Sequence, residues 1–422
     1  MIQTYRNEFI ENPCIFMLKC IYFLPKIAIR EGQVAEWLCR GLQILGCRFD
    51  SDPGLQMNKM INQITLTNFR NHTCSRIKIN GAQNIIITGS NGAGKTAILE
   101  AISLLSGERG LRGVDIQMLP CFNGDGSFSV FATTDDESDI CVFLNSGDSN
   151  RHAKIDNENA ALSELAKKLR IVWLTPKEDR IFIDSASERR AFFDHLAASF
   201  EPSHIGRTSR LNKLLSERGG AIKNGADNNW LDAIDKQIAA TSVSIAAGRI
   251  RYAGELNYFF ENGAVSVDGF VERLLIENND AIAEQKYFEY LQNNRELTGD
   301  KMIIDGVHKS DFGVFNKKLS LPAAITSTGQ QKSILIDLIL AHAKLIHVKT
   351  AQRPLILLDE AVAHLDDNAR TKLFKDLNES AAQVFATGID INIFKNIPNA
   401  LFVTCKDGGI SNIVTSKKME DN

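Results

Sequence analysis

Two clusters of residues in this 422-residue chain have the types and spacing of phosphate chemistry. The first is Gly89-Ser90-Asn91-Gly92-Ala93-Gly94-Lys95-Thr96. In such a loop glycines let backbone N–H groups close on phosphate oxygens, the lysine reaches the β- and γ-phosphates, and the adjacent hydroxyl ligates Mg²⁺. The surroundings fit. Ile85-Ile86-Ile87 ahead of the loop reads as a buried strand, and Ala97 to Leu105 behind it carries apolar residues at helical spacing. The loop therefore opens a helix whose N-terminal dipole favours anions. The plain alternative is a glycine turn that only caps a helix. The second cluster is Asp359-Glu360, directly after Pro354-Leu355-Ile356-Leu357-Leu358. That pattern predicts a buried parallel strand delivering two acids at its C-terminal end, where open α/β sheets bind ligands. Asp359 is placed to hold Mg²⁺ through water and Glu360 to polarise an attacking water. Strand ends are often acidic, so the pair takes its meaning from the phosphate loop 264 positions upstream.

The elements that must position these groups are legible in outline. Ile64 and Leu66 alternate with Thr65 and Thr67, and Ile77 and Ile79 with Lys78 and Asn80, which predicts two half-buried strands. Phe128 to Thr133 and Ile140 to Leu144 read as a hairpin around Asp135-Asp136-Glu137, part of an antiparallel subdomain. Residues from about 180 to 300 read as helical, with apolar spacing in Phe192, Phe193, Leu196, in Leu211, Leu214, Leu215 and in Phe270, Leu274, Leu275, but without sustained heptads. That is a compact lobe and no long coiled-coil arm. Thr371 to Leu377, Gln383 to Ala386 and Leu401 to Thr404 complete the sheet. A net charge of −3 excludes a generally basic coat, so any nucleic-acid surface must be sorted onto one face. Eight cysteines without a CxxC pair or a Cys/His cluster fit a reduced, cytoplasmic setting without structural zinc. The most apolar stretch, Cys14 to Pro25, is far shorter than the ~20 residues of a spanning helix, so no membrane role is expected.

Thr326-Ser327-Thr328-Gly329-Gln330-Gln331-Lys332, followed by a helical apolar pattern, resembles the signature motif of ABC-type ATPases. There Ser327, Gly329 and Gln330 would cap the γ-phosphate held by a second subunit; an ordinary N-capped helix is the alternative. His364-Leu365-Asp366-Asp367 resembles the D-loop, with Asp366 as its acid. Thr387 stands where many ABC ATPases place a switch histidine, which implies slow hydrolysis. Signature and phosphate loop cannot meet within one ABC subunit, so the resemblance implies an ATP-dependent homodimer with ATP as a clamp.

Lys95 and Ser327 lie 232 positions apart, which requires a large insertion. Asn68-Phe69-Arg70-Asn71, the phosphate loop, Ser185 to Asp194, Arg210 to Arg218, Gly306 to Asp311, the signature stretch and Leu358-Asp359-Glu360 together resemble, in order, the motifs of the RecF family, over about residues 60–415. The departures are Val307 for the usual proline, and Lys309 and Thr328 for the usual arginines. The implied fold class is α/β: a P-loop, ABC-type, SMC-like ATPase head at 57–180 and 301–415 with an inserted helical lobe at 181–300 and a tail at 416–422. The resemblance also places Arg70 and Asn71 at ATP. It implies a protein of DNA replication and recombinational repair that dimerises on ATP at gapped or single-strand/double-strand DNA junctions. Such a protein would help RecO and RecR load RecA and hydrolyse ATP slowly for release.

Arg207, Arg210, Lys213 and Arg218, with Lys223, punctuate the start of the insertion as a phosphate-facing strip would; a solvated charged face is the alternative. No aromatics interleave with that strip, so backbone contacts to duplex are expected there. His308 has no acid or cysteine cluster beside it, and Gly306-Val307-His308 reads as a link between lobe and signature. Residues 1–56 hold half the cysteines, and Ala35 to Gln43 resembles the translation of a transfer-RNA gene. The native start is therefore expected at Met57 or Met60; a genuine, poorly packed extension is the alternative. Other readings are a transporter ATPase, disfavoured by the long insertion and the missing hydrophobic dock; a nuclease with a Toprim domain, disfavoured by only 62 residues after Glu360; and a non-hydrolysing scaffold, which Glu360 speaks against and Thr387 keeps open.

Overall fold

The computed structural model describes residues 59–295, 304–362 and 365–415, all within the unit Met57–Asn422. The expectations for residues 1–56, for the tail 416–422 and for His364 lie outside the described residues. In chain order the elements are β1 (Ile61–Phe69), β2 (His72–Lys78), β3 (Asn84–Thr88), α1 (Lys95–Leu104), β4 (Phe128–Thr134), β5 (Asp139–Leu144), β6 (His152–Ile155), β7 (Glu158–Ala160), α2 (Leu162–Lys168), β8 (Ile171–Leu174), α3 (Ala186–Phe200), α4 (Ser203–Lys223) and α5 (Asn228–Phe259). Then follow β9 (Gly263–Asp268), α6 (Phe270–Glu277), α7 (Asp280–Asn293), β10 (Asp311–Asn316), β11 (Leu321–Pro322), α8 (Thr328–Thr350), β12 (Leu355–Leu358), α9 (Asp367–Ser380), β13 (Gln383–Gly388), β14 (Ala400–Lys406) and β15 (Gly409–Thr415).

The sheet that carries the phosphate chemistry has the order β15-β14-β3-β13-β12-β8, parallel except for the edge strand β15. Its parallel strands are buried on both faces because both are covered. Ile85 and Ile87, with Leu355 and Leu357, enter a core shared with α1 and a second, antiparallel sheet of order β2-β1-β4-β5-β6-β7. Ile86, with Ile356 and Leu358, enters the core beneath α3, α5, α8 and α9. One alternation thus fastens one strand to two layers.

The insertion contains helices α3 to α7, and its own core gathers Leu211, Leu214, Ile238, Ile245, Val271, Tyr287 and Leu291. Phe192, Phe193 and Leu196 instead join the core under the parallel sheet, which seats the lobe on the ATPase layer. The lobe is not wholly helical. Gly263-Ala264-Val265-Ser266-Val267-Asp268 alternates with period two and forms β9, which pairs antiparallel with β10 in a three-stranded sheet. Among the described residues no helix is long and apolar enough to cross a membrane.

Candidate nucleotide-binding site

The phosphate loop spans the gap from β3 to α1, and two of its glycines are required by what surrounds them. Gly89 has φ 151°, and a Cβ there would lie 2.5 Å from the Cys405 carbonyl oxygen. Gly94 has φ 105°, and a Cβ would lie 2.4 Å from His72 Nε2. The Lys95 ammonium, buried, donates to the carbonyls of Gly89 (2.9 Å) and Ser90 (3.0 Å) across the loop. Those carbonyls keep it poised inside the loop that would wrap a phosphate. His72 fixes the loop from below: its Nε2 bonds the Gly94 carbonyl (3.0 Å) and its Nδ1 the Ser75 hydroxyl (2.8 Å). Burial lowers the His72 pKa, an effect the Gly94 hydrogen bond only partly offsets, so the neutral ring is the form that props the loop.

Arg70 and Asn71 form the two-residue turn between β1 and β2, closed by the Phe69–His72 pair, with Arg70 at φ 55°. Asn71 Nδ2 donates to the Gly92 carbonyl (3.1 Å). The Arg70 guanidinium makes a two-toothed bond to Glu100 (2.8 Å for each nitrogen) and donates to the Met118 carbonyl (2.7 Å). Glu100 is a residue that motif reading missed. The signal was present in the sequence, as one buried acid inside the otherwise apolar run of α1. Arg70 and Asn71 line a cleft of about 1000 Å³ that also holds Asn91, Gly92, Thr96, Glu360 and residues of the loop from Gln117 to Gly126.

The acids arrive from β12, two strands away in the sheet. Asp359 Oδ1 accepts from the hydroxyls of Thr96 (3.1 Å) and Thr387 (2.8 Å). Thr387, at the end of β13 between the two site strands, is fully buried. Its hydroxyl also accepts from the Glu360 N–H (2.9 Å). Thr387 therefore braces both acids, one through its hydroxyl proton and the other through its hydroxyl oxygen. Glu360 sits at φ 52°, a conformation uncommon for a non-glycine residue that persists only where the surroundings over-determine it. The Thr387 bond supplies part of that determination. Thr96 and Asp359 fit Mg²⁺, which takes one or two protein oxygens and completes its octahedron with phosphate oxygens and water.

A second cleft of about 930 Å³ runs from Thr96, Asp359 and Glu360 toward the lobe, past Arg112, Trp173 and His195. His195 Nδ1 pairs with Glu108 (2.7 Å) and its ring stacks on Trp173 at 3.8 Å. Arg112 lines both clefts and belongs to no motif used above.

The signature residues lie elsewhere. Ser327 caps α8: its hydroxyl accepts from the Gln330 N–H (3.4 Å), and its own N–H donates to Gln330 Oε1 (3.0 Å). Among the described residues nothing lies within 4 Å of where a Cβ at Gly329 would stand, and residues 327–330 are all exposed. None of them lines either cleft beside the phosphate loop. Asp366 caps α9, accepting from the Ala369 N–H at 2.9 Å. The Val307 carbonyl accepts from Arg249 (2.6 Å), which ties the segment before β10 to α5.

The basic strip on α4 is divided by the structure. Arg210, bonded to Gln237 (3.1 Å), and Lys213 are exposed, whereas Arg207 is tied to Glu201 and Ser203. Arg218 is 1% exposed and pairs with Asp235 at 2.6 Å. It follows Leu211 and Leu214 at intervals of seven and four, on the buried stripe of the helix, and so cannot reach a DNA phosphate.

A parallel sheet with a phosphate loop and a paired-acid strand, an antiparallel subdomain and an inserted lobe define a P-loop ATPase head of the ABC and SMC-like class. The family model described as "RecF/RecN/SMC N terminal domain" matches residues 60–412. The DNA replication and repair protein RecF of Mesorhizobium japonicum is 33% identical over 368 residues, covering 83% of this chain and 97% of its own. That of Agrobacterium fabrum is 33% identical over 378 residues, covering 85% of this chain and all of its own. The chain belongs to the RecF family. The solved structure of "the recombination mediator protein RecF-ATPrS in RecFOR pathway" superposes with a TM-score of 0.75 at 21% identity, covering 84% of this chain and 98% of that one, which establishes the shared fold.

Proposed function

We propose that this protein is an ATP-gated DNA-binding protein of DNA replication and recombinational repair, acting in the cytoplasm. It dimerises on ATP at gapped or single-strand/double-strand DNA junctions and helps RecO and RecR load RecA. The observation that carries the nucleotide half is the meeting of the Thr96 and Thr387 hydroxyls on one oxygen of Asp359 beside the phosphate loop. The loop amides and Lys95 would bind the β- and γ-phosphates, with Arg70 and Asn71 at the rim. Thr96 and Asp359 would hold Mg²⁺, which neutralises phosphate charge when bound. Glu360, locked by the Thr387 hydrogen bond, would orient and deprotonate the attacking water. Ser327 and Gly329, exposed on α8, are free to approach the phosphates of a second copy, with Gln330 beside them and Asp366 near the same seam. With a threonine in place of a switch histidine the turnover is slow, so ATP serves as a clamp before it serves as fuel. The relatives' names support the repair role, and the solved relatives' names support the nucleotide and the mediator pathway.

The test is light-scattering mass of the protein and its Glu360→Gln variant with and without ATP, with gapped-DNA binding on the same samples. ATP is expected to double the mass, the variant to hold the dimer longer, and DNA binding to rise with dimer. A protein that stays monomeric and indifferent to DNA would remove the sandwich reading.

A further inference from the structure

The antiparallel sheet buries one face and leaves the other in solvent, and the outward side chains of that face form a pattern no local stretch of sequence displays. The strand register places Arg76, Thr65, Phe131, Cys141 and Lys154 in one row across β2, β1, β4, β5 and β6. The next row along the strands holds Cys74, Thr67, Ser129, Phe143 and His152. The inward partners, among them Ile64, Leu66, Val130, Ala132, Ile140 and Val142, are fully buried. Phe131 and Phe143 are therefore diagonal neighbours on adjacent strands, half-exposed on a face that is otherwise polar. Together with Thr67, Cys141 and Lys154 they line a cavity of about 410 Å³.

Three cations and Asp139 stand on this face, with Asp125, Asp148 and Asp156 at its ends. Lys78 and Arg76 stand on β2, exposed, with Arg76 bonded to Gln63 (2.6 Å). The Lys154 ammonium lies 5.7 Å from the centre of the Phe143 ring. Asp139 accepts from the Thr133 hydroxyl (3.0 Å), and at the start of β6 His152 is paired with Asp148 (2.9 Å). Two half-exposed phenyl rings with three cations on the same sheet face, Lys154 over one ring and His152 5.5 Å beside it, match a chain of planar rings joined by phosphates. Bases stack on the phenyl faces whatever their identity, and phosphates run toward the cations. A duplex hides its base faces and cannot use the rings.

We propose that this sheet face is a stacking platform for single-stranded nucleic acid, with Phe131 and Phe143 taking bases and Arg76, Lys78 and Lys154 taking phosphates. It rests on the DNA-binding reading above and assigns the single strand of a junction to a surface separate from the nucleotide cleft. The full-length protein with ATP is titrated with three labelled probes of one length: an oligothymidine strand, the same strand made abasic, and a blunt duplex. The wild type is expected to bind oligothymidine more tightly than the abasic strand. Phe131→Ala with Phe143→Ala is expected to lose about tenfold or more for oligothymidine per ring, with abasic and duplex affinities unchanged. Phe131→Tyr with Phe143→Tyr is expected to retain it.

Equal wild-type affinity for the base-bearing and abasic strands overturns the platform without recourse to any variant. So does an alanine variant that keeps oligothymidine binding, or one that loses all three probes in parallel. If the wild type binds duplex but no single strand, the platform falls and the DNA-binding reading stands. If it binds no DNA with ATP, that reading falls and takes the platform with it.

Discussion

At the scale of single residues the site depends on one hydroxyl more than its type suggests. Thr387 spends its proton on Asp359 and its lone pair on the Glu360 N–H, so a side chain without charge orients both acids. Thr387→Val keeps the volume but takes from the half-buried Glu360 N–H its partner and removes one of two hydroxyls from Asp359. Each lost bond of this kind costs about 1–3 kcal/mol. The expected outcome is hydrolysis slowed roughly 10- to 100-fold with ATP affinity nearly unchanged, measured by single-turnover hydrolysis beside equilibrium nucleotide binding. Equal loss of affinity and turnover would show that the brace serves binding instead. The phosphate loop and the acid pair were readable residue by residue, because their chemistry demands fixed types at fixed spacing. The brace was not, since a threonine at a strand end carries no signal until the neighbouring strand is known.

At the scale of elements, the N-terminus of α8 is held by its own cap. Its capping box occupies Ser327 and Gln330 with the helix's own N–H groups, so the exposed N-terminus keeps its remaining amides and its dipole for an anion. Two substitutions separate the roles. Ser327→Ala removes the cap and is expected to cost about 1 kcal/mol of stability. Ser327→Asp keeps a good cap while placing a negative charge where a second copy's γ-phosphate would approach. The aspartate variant is expected to melt within a degree or two of wild type yet to stay monomeric with ATP, by light scattering beside thermal unfolding. A wild-type dimer in that variant would place the signature outside the interface. The basic strip on α4 makes the complementary point: Arg210 and Arg218 look alike in sequence, but only one lies off the Leu211–Leu214 stripe.

At the scale of the whole described unit, three helices meet on one histidine. His342 of α8 is fully buried; its Nε2 lies 2.8 Å from Ser199 Oγ of α3 and its Nδ1 3.0 Å from the Tyr252 hydroxyl of α5. Burial, helped by the charges of His195 and Arg170, drops its pKa from 6.5 to about 3. The neutral ring is the native form, so between these values the unfolded chain binds a proton that the native protein refuses. Stability from this group is complete above pH 6.5 and declines as the pH falls toward 3, by up to about 1.4 kcal/mol per pH unit. His342→Gln is expected to flatten the pH dependence of denaturant unfolding across that window by this amount. An unchanged slope would mean that another group carries the acid sensitivity.

The sequence by itself determined the α/β class, the phosphate loop, the acid-bearing strand, the inserted lobe and the family. These rest on local rules: a period of two or 3.6, a helix after a glycine loop, acids at a strand end. Tertiary structure alone decided which charges face water, since Arg218 turns inward to Asp235 while Arg210 and Lys213 do not. It also decided what the period-two stretch Gly263 to Asp268 pairs with, because β10, more than forty residues on, supplies the edge. And it alone gathered Phe131, Phe143, Arg76 and Lys154, spread over nearly eighty positions, onto one face. The physical reason is common to all three. A side chain's chemistry follows from its type, but its partners follow from strand register and helix phase against neighbours that are distant in the chain.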